Sequence, residues 1–545
     1  MKYTISGNIV DVINKKIFPG KILVKEGKIV KISLTRNTQK VFIIPGLIDS
    51  HIHIESSMLV PSEFSRLVVR HGTIAAVSDP HEITNVLGIE GIKFMLLNGG
   101  KVPFKFYFGI PSCVPATNFE TTGGKLDEKE IEELFLNNKF KYLAEVMNFQ
   151  GVINDDENVI AKIKIAKKYN RQIDGHAPGL TGENLKKYVS QGITTDHECI
   201  SIEEGREKIL RGMNILIREG SATKNFNDLI PLIKEYPSKI MLCTDDLHPD
   251  DLVNGHINRL IKKGIDMGYD LFDMVRAATL NPTVHYKLNT GLLKENDPAD
   301  FVIINSFDDF SIIATYIEGK KVYENGKTKI ARVIVKNRNV FNCDKITIKQ
   351  LEVPAKSDKI KVIEAFDGQL YTKELITSAT IKDGKVISNI KNDILKIVVY
   401  NRYNKSNPAV SFIKGFRLKK GAIASTIAHD SHNIIAVGVK DIDIANAINR
   451  IIEIRGGILL TNGSKFEEIQ LSVAGLLTYK NGLQIAKEYR EMNNKVRLLG
   501  SSLRAPFMTL SFMALLVIPE LKLSDKGLFD VRKFNFTDLY YQGEE

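Results

Sequence analysis

The chain has 545 residues, 43% apolar and 26% charged. That is the balance of a globular protein and excludes disorder as its overall state. Lys plus Arg number 75 against 64 Asp plus Glu, a net charge of +11 spread thinly, with Lys-Lys pairs on helix-like stretches. This spread favours small anions and argues against duplex binding as the main function. The cysteines (Cys113, Cys199, Cys243 and Cys343) form no CxxC pair. Neither a thiolate metal site nor a disulfide framework is expected, and a reducing cytosol is the natural compartment.

The start, Met1 to Ser6, has no charged-then-apolar signal segment. Residues 1 to 43 then alternate apolar and polar positions, with turns at Gly7, Pro19-Gly20 and Glu26-Gly27, which predicts short strands. The same texture returns from Gly291 to about Ile334, including Ala299 to Ile304. The two pieces, 1–43 and 288–345, are expected to assemble into one composite small β-sandwich domain.

Between them, over 44–287, the rhythm is strand, loop, helix. Candidate strands end near His53, Asp79, Ile110, Met147, His176, His197, Ile217 and Asp245. Amphipathic stretches such as 127–138, 155–169 and 226–236 separate some of them. Eight strands alternating with helices predict an α/β fold, a (β/α)8 TIM-like barrel. The rival is a doubly wound open sheet, which calls for a glycine-rich phosphate loop, and Gly123-Gly124 is not in a GxGxxG frame. From 346 to 545, runs such as Ile397 to Tyr400 and Ile434 to Val439, with a turn at Gly456-Gly457, predict a C-terminal α+β domain. The longest apolar stretch, Ala505 to Leu521, is broken by Thr509, Ser511 and Pro519. It falls short of the ~20 residues of a bilayer span and reads as buried core.

Nine of the eleven histidines fall between His51 and His285. His51 and His53 are two apart on a strand and share a face, so both can serve one ion. That signal is weak alone, but Glu145 lies in the fourth candidate strand, and His176, His197 and Asp245 end the fifth, sixth and eighth. Barrel active sites sit at these strand ends. Four imidazoles and two carboxylates meeting there suit two divalent cations about 3.5–4 Å apart, with Glu145 able to bridge them.

Pro45-Gly46-Leu47-Ile48-Asp49-Ser50-His51-Ile52-His53, followed by His176, His197 and Asp245, resembles the amidohydrolase superfamily of metal-dependent hydrolases. Many members carry a carbamylated lysine on strand four. Here Glu145 stands in its place. Further segments resemble the adenine deaminase family within it: 51–58, Asp79-Pro80-His81-Glu82-Ile83, 145–149, Asp245-Asp246-Leu247-His248-Pro249 and His429-Asp430-Ser431-His432-Asn433.

The resemblance covers essentially the whole chain and implies hydrolysis of adenine to hypoxanthine and ammonia. It implies that a hydroxide held at a binuclear centre attacks the purine C6, with His51, His53, Glu145, His176, His197 and Asp245 holding the ions. Asp245 would also move the water proton. Mn2+ or Fe2+ is favoured, with Zn2+ the third choice.

Asp79, His81 and Glu82 follow the second strand and Arg218 and Glu219 the seventh. Both groups are expected at the mouth, where they would hydrogen-bond ring nitrogens or relay protons, Glu82 as a catalytic residue and His81, Arg218 and Glu219 as substrate contacts. The alternative for both groups, balanced evenly for Arg218 and Glu219, is ion pairing among barrel loops, such as Arg218 with a nearby acid. Glu55, just beyond the HxH, is balanced between the two readings. His429 and His432 are expected to contact substrate as part of a lid, or to form a second metal site. His71, His256 and His285 are expected to be structural or solvent-facing, and Asp246 and His248 to shape the loop after strand eight. The expected partners are a small-molecule substrate (adenine) and further copies of the chain in a homo-oligomer, with no nucleic acid and no membrane.

Two other functions compete. A different amidohydrolase, cleaving a cyclic amide or another heterocycle, is opposed by Glu145 and the 54–58 run. A non-enzymatic RNA-binding protein would show steeply salt-dependent affinity and indifference to chelator. A cytidine-type zinc deaminase needs a PCxxC, which is missing.

Overall fold

Eight parallel strands close into a ring in this computed structural model, which describes residues 2–36, 40–137 and 139–542. Met1 and Asn138, at the ends of two expected elements, lie outside the described residues, as do 37–39 in the first β piece and 543–545 in the last segment. The ring runs β1 (Leu47–Ile52), β2 (Thr73–Ser78), β3 (Lys105–Phe108), β4 (Tyr142–Val146), β5 (Gln172–Gly175), β6 (Thr195–Asp196), β7 (Asn214–Arg218) and β8 (Ile240–Cys243). Parallel ladders join β1–β2–β3, β4–β5 and β6–β7–β8. Single bridges, Ile110 to Leu143 and Ile52 to Asp245, carry the ring from β3 to β4 and from β8 back to β1. Between β5 and β6, Thr194 N–H donates to the Ile173 carbonyl at 2.9 Å. Most strand residues are buried, as expected where helices cover one face and packed side chains the other.

The helices follow their caps. Asp127 and Glu130 form a capping box that starts Glu128–Leu136, and Asp156 caps Glu157–Lys168. The expected helix over 226–236 is two short ones, Phe226–Leu229 and Leu232–Glu235. Pro231, between them, has no N–H to continue the ladder.

Strands Lys2–Asp11, Lys16–Lys25, Lys28–Leu34 and Phe42–Pro45 join Phe301–Ile304, Ile312–Ile317, Lys320–Glu324 and Lys327–Thr328 in one eight-stranded sheet. Phe42–Pro45 is the seam, parallel to Lys2–Asp11 and antiparallel to Phe301–Ile304. The hydrogen-bonded order is unbroken, so the two pieces share one continuous sheet. It curls until Tyr3 meets Tyr316, ring centroids 6.2 Å apart, around Ile9, Ile22, Val24, Ile43 and Phe301.

The C-terminal segment builds a second eight-stranded sheet, with Ala422–Ser425, Ile434–Gly438 and Leu395–Tyr400 near its middle. Helix Asp441–Ile454 covers one face through Ile444, Ile448 and Ile451. Ile397, Val399, Ile423 and Ile435 alternate to the other face and share a core with the barrel. The connection between Ala422–Ser425 and Ile434–Gly438 therefore points at the barrel mouth. Within 505–521, Pro506–Ser511 is a buried helix. No helix among the described residues is long and apolar enough to cross a membrane.

Beneath β6 lies an ionic cluster with no access to water. Lys208 Nζ donates to Asp196, to Glu204 Oε1 (2.6 Å) and to the Ala177 carbonyl (2.6 Å). Asp196 directly precedes His197, so the cluster fixes the end of that strand. Lys208→Met should lower stability by about 3–5 kcal/mol in chemical denaturation, because two carboxylates are left buried without a cation.

Candidate metal centre

His51, His53, Glu145, His176, His197 and Asp245 converge at the C-terminal rim of the barrel. His51 Nε2 lies 3.2 Å from His53 Nε2 and 3.6 Å from Asp245 Oδ1, and His53 Nε2 is 3.2 Å from that same oxygen. On the other side, His176 Nδ1 and His197 Nε2 stand 2.9 and 3.2 Å from Glu145 Oε2. The second Glu145 oxygen, Oε1, faces His53 Nε2 at 3.2 Å. One carboxylate thus addresses both groups of ring nitrogens.

The spacings test whether cations fit. Donors about 2.1 Å from one ion in tetrahedral geometry stand about 3.4 Å apart. The 2.9–3.6 Å separations match this, and the nitrogen–oxygen donor set suits manganese, iron or zinc.

Strand ends explain the convergence. Ile52, between the two histidines, turns into the barrel wall and bridges Asp245, and Asp245 N–H donates to the His51 carbonyl at 2.9 Å. His53 Nδ1 lies 3.1 Å from the Asp79 carbonyl. If that contact carries the ring proton, Nε2 is free to ligate. Further down, Asp49 accepts from Thr244 N–H (3.1 Å) and meets His256 Nε2 at 2.9 Å.

Electrostatics set the protonation. Burial pushes the Glu145 carboxyl up, but His176, His197 and His53 together hold it well below the usual carboxylate range. Burial likewise raises Asp245, and the Arg218 guanidinium with His51 and His53 overrides it downward. Glu82 goes the other way: burial and the neighbouring acids Glu55 and Asp246 raise its carboxyl well above the ordinary value.

Not every expected contact is at the mouth. Arg218 clamps Glu198, with Nη2 2.7 Å from Oε2, while Nη1 bonds both Glu198 and Asp245. Its guanidinium is thus engaged in the ion pairing that is the alternative to a substrate contact. Glu219 points away: successive strand-end residues face opposite sides, and its carboxylate pairs with Lys263 at 2.8 Å. That is the ion-pair alternative for Glu219, in place of the expected contact with substrate. His81 is in place, Nδ1 3.3 Å from Asp79 Oδ2 and 3.5 Å from Glu145 Oε1. Glu55 accepts from Ile83 N–H at 3.2 Å and so supports the loop bearing Glu82.

His429 and His432 reach the site from the C-terminal segment, with His429 Nδ1 and His432 Nε2 each 3.8 Å from a Glu82 oxygen. His256 is buried and structural, while His248 bonds the Tyr489 hydroxyl at 2.9 Å. Asp246 accepts from Ser56 Oγ at 2.5 Å.

Sequence reading passed over two groups. Glu198 Oε1 lies 3.6 Å from His176 Nδ1 and 3.5 Å from His197 Nε2, and its position beside His197 was the available signal. Asp430 Oδ1 sits 3.9 Å from His81 Nε2, a contact between distant segments with no local signature.

The chain matches the amidohydrolase family over residues 42–322 and the adenine deaminase C-terminal domain over 369–535. An adenine deaminase of Methanosarcina mazei is 50% identical over 98% of this chain and 99% of its own length. One from a Sulfurovum species is 52% identical over 97% and 98%. Among solved structures, a β-aspartyl dipeptidase of Fervidobacterium islandicum aligns at TM-score 0.46 and 15% identity, over 60% of this chain and 99% of that one, too distant to bear on the site.

Two predictions follow from the charges. Arg218→Met leaves Glu198 and Asp245 without their cation and should weaken metal affinity about 10–100-fold in chelator competition, the usual size for a residue supporting a ligand. Glu120, behind the 429–433 segment, is buried near Asp430 and its carboxyl is pushed up to about 8 from 4.5. The folded state then binds the extra proton, so this group's contribution to stability is lost as pH rises from about 4.5 through about 8. Glu120→Gln should therefore gain on the wild type between pH 5 and pH 8 in urea midpoints, and a constant difference would refute this.

Proposed function

We propose, for a chain that belongs to the adenine deaminases of the amidohydrolase family, that the barrel mouth hydrolyses adenine to hypoxanthine and ammonia. The observation that carries this reading is the split of Glu145, one oxygen toward His53 and the other toward His176 and His197.

On this reading His51, His53, Asp245, His176, His197 and Glu145 are the residues that would hold two divalent cations. Manganese or iron there would supply the Lewis acidity that makes water a nucleophile near neutral pH. The chain's own groups then move the protons. Asp245, kept ionised by Arg218, accepts a proton from the attacking water and delivers it to the departing amine. Glu82, whose carboxyl burial, Glu55 and Asp246 push well above its ordinary value, is the acid that can donate a proton to a ring nitrogen as C6 becomes tetrahedral.

The His81 imidazole, flanked by Asp79, Glu145 and Asp430, lies beside this path and can contact the substrate. His429 stacks on Phe512, centroids 4.8 Å apart at 14°, and offers a flat wall to a planar ring. The buried free thiols of Cys113, Cys199 and Cys243 agree with a reducing cytosol.

Ammonia release by the manganese-loaded protein tests the reading. On this reading adenine should be consumed and adenosine not, the donors His51, His53 and Glu145 being almost fully buried. Chelator should abolish turnover and added manganese restore it. Asp245→Asn should lower kcat about 10²–10⁴-fold. Release of ammonia that chelator leaves untouched would overturn the assignment.

A further inference from the structure

The tip of the C-terminal hairpin holds one imidazole in a fixed state. Ala428 N–H donates to His432 Nδ1 at 3.3 Å, and His432 N–H donates back to the Ala428 carbonyl at 2.7 Å. These two bonds pin the ring on its own backbone. Because Nδ1 accepts, the neutral ring carries its proton on Nε2. Burial, with His429, Arg402 and His81 nearby, lowers the ring's basicity well below the usual value and keeps it neutral.

That Nε2–H is fully buried and has no hydrogen-bond partner among the described residues. Its nearest acid, Glu82 Oε2, stands 3.8 Å away, beyond hydrogen-bond reach. Buried polar atoms are nearly always satisfied, so an unmet donor at the edge of a catalytic site marks a ligand's place. The ligand atoms of Glu82, His429 and His432 also lie within 4.8 Å of one another, which could be read as a second metal site. Tautomer decides against it: a protonated Nε2 has no lone pair to give a cation. What the site offers is a hydrogen bond, beside the flat wall that His429 makes with Phe512.

We propose that His432 Nε2–H is the donor that reads an unprotonated ring nitrogen of the purine, N3 or N7. This rests on the adenine reading and deepens it by assigning a specificity residue from outside the barrel. A site built to donate to a nitrogen rejects the analogue bearing C–H there, since the donor is again left unmet.

The test compares inhibition of adenine hydrolysis by hypoxanthine, 3-deazahypoxanthine and 7-deazahypoxanthine, on the manganese-loaded full chain. In the wild type one deaza compound should bind at least about tenfold more weakly than hypoxanthine, and which one names the nitrogen. In His432→Leu that ratio should fall to about one, while in His432→Gln, which keeps an N–H donor, part of it should return. The proposal is overturned if neither deaza compound is discriminated by the wild type, or if the ratio survives in His432→Leu. The wild-type arm stands without any variant, so a misfolded substitution cannot rescue the idea. Failure of the adenine reading itself would show separately, as no ammonia from adenine in the wild type.

Discussion

A single carboxylate with its two oxygens turned to different imidazole groups is the constraint on which the rest of this structure depends. Glu145 cannot make both approaches unless β1, β4, β5 and β6 end at one level, because each donor is carried on a different strand. The closed ring supplies that level. The Asp49–His256 pair, the Lys208 cluster and the reciprocal bonds between β1 and β8 are local devices that keep individual strand ends from slipping. Charge is arranged with the same economy: Arg218 sits behind Asp245 and Glu198, pairs with both, and holds the Asp245 carboxyl down against the upward push of burial.

Proton chemistry at the mouth is divided by environment. Asp245 and Glu82 are both fully enclosed acids, yet Arg218 favours the charged form of one while Glu55 and Asp246 favour the neutral form of the other. Two acids with opposed preferences, close to the same donors, are what the proposed deamination calls for: one group to take a proton and one to give it.

Much of this was legible in the chain itself. Period-two and strand–helix rhythms place the eight barrel strands, and the donors stand out because acids and imidazoles at the ends of apolar runs need a reason to be there. What stayed hidden depends on direction or on distance in sequence. Arg218 and Glu219 are adjacent, and only the strand's facing sends one to Asp245 and the other to Lys263. Asp430 approaches His81 across some 350 residues of chain, a pairing that no local pattern encodes. The curl that brings Tyr3 to Tyr316 within an unbroken sheet is likewise a property of twist, invisible to alternation alone.

The connection bearing His429 to His432 is anchored at both ends in a sheet that shares none of the barrel's ladders. On the reading proposed above, ion capture and ligand choice are written into separable stretches of the gene. Drift in the few codons at that tip could redirect such a protein to another heterocycle while its inorganic machinery passes unchanged from ancestor to descendant.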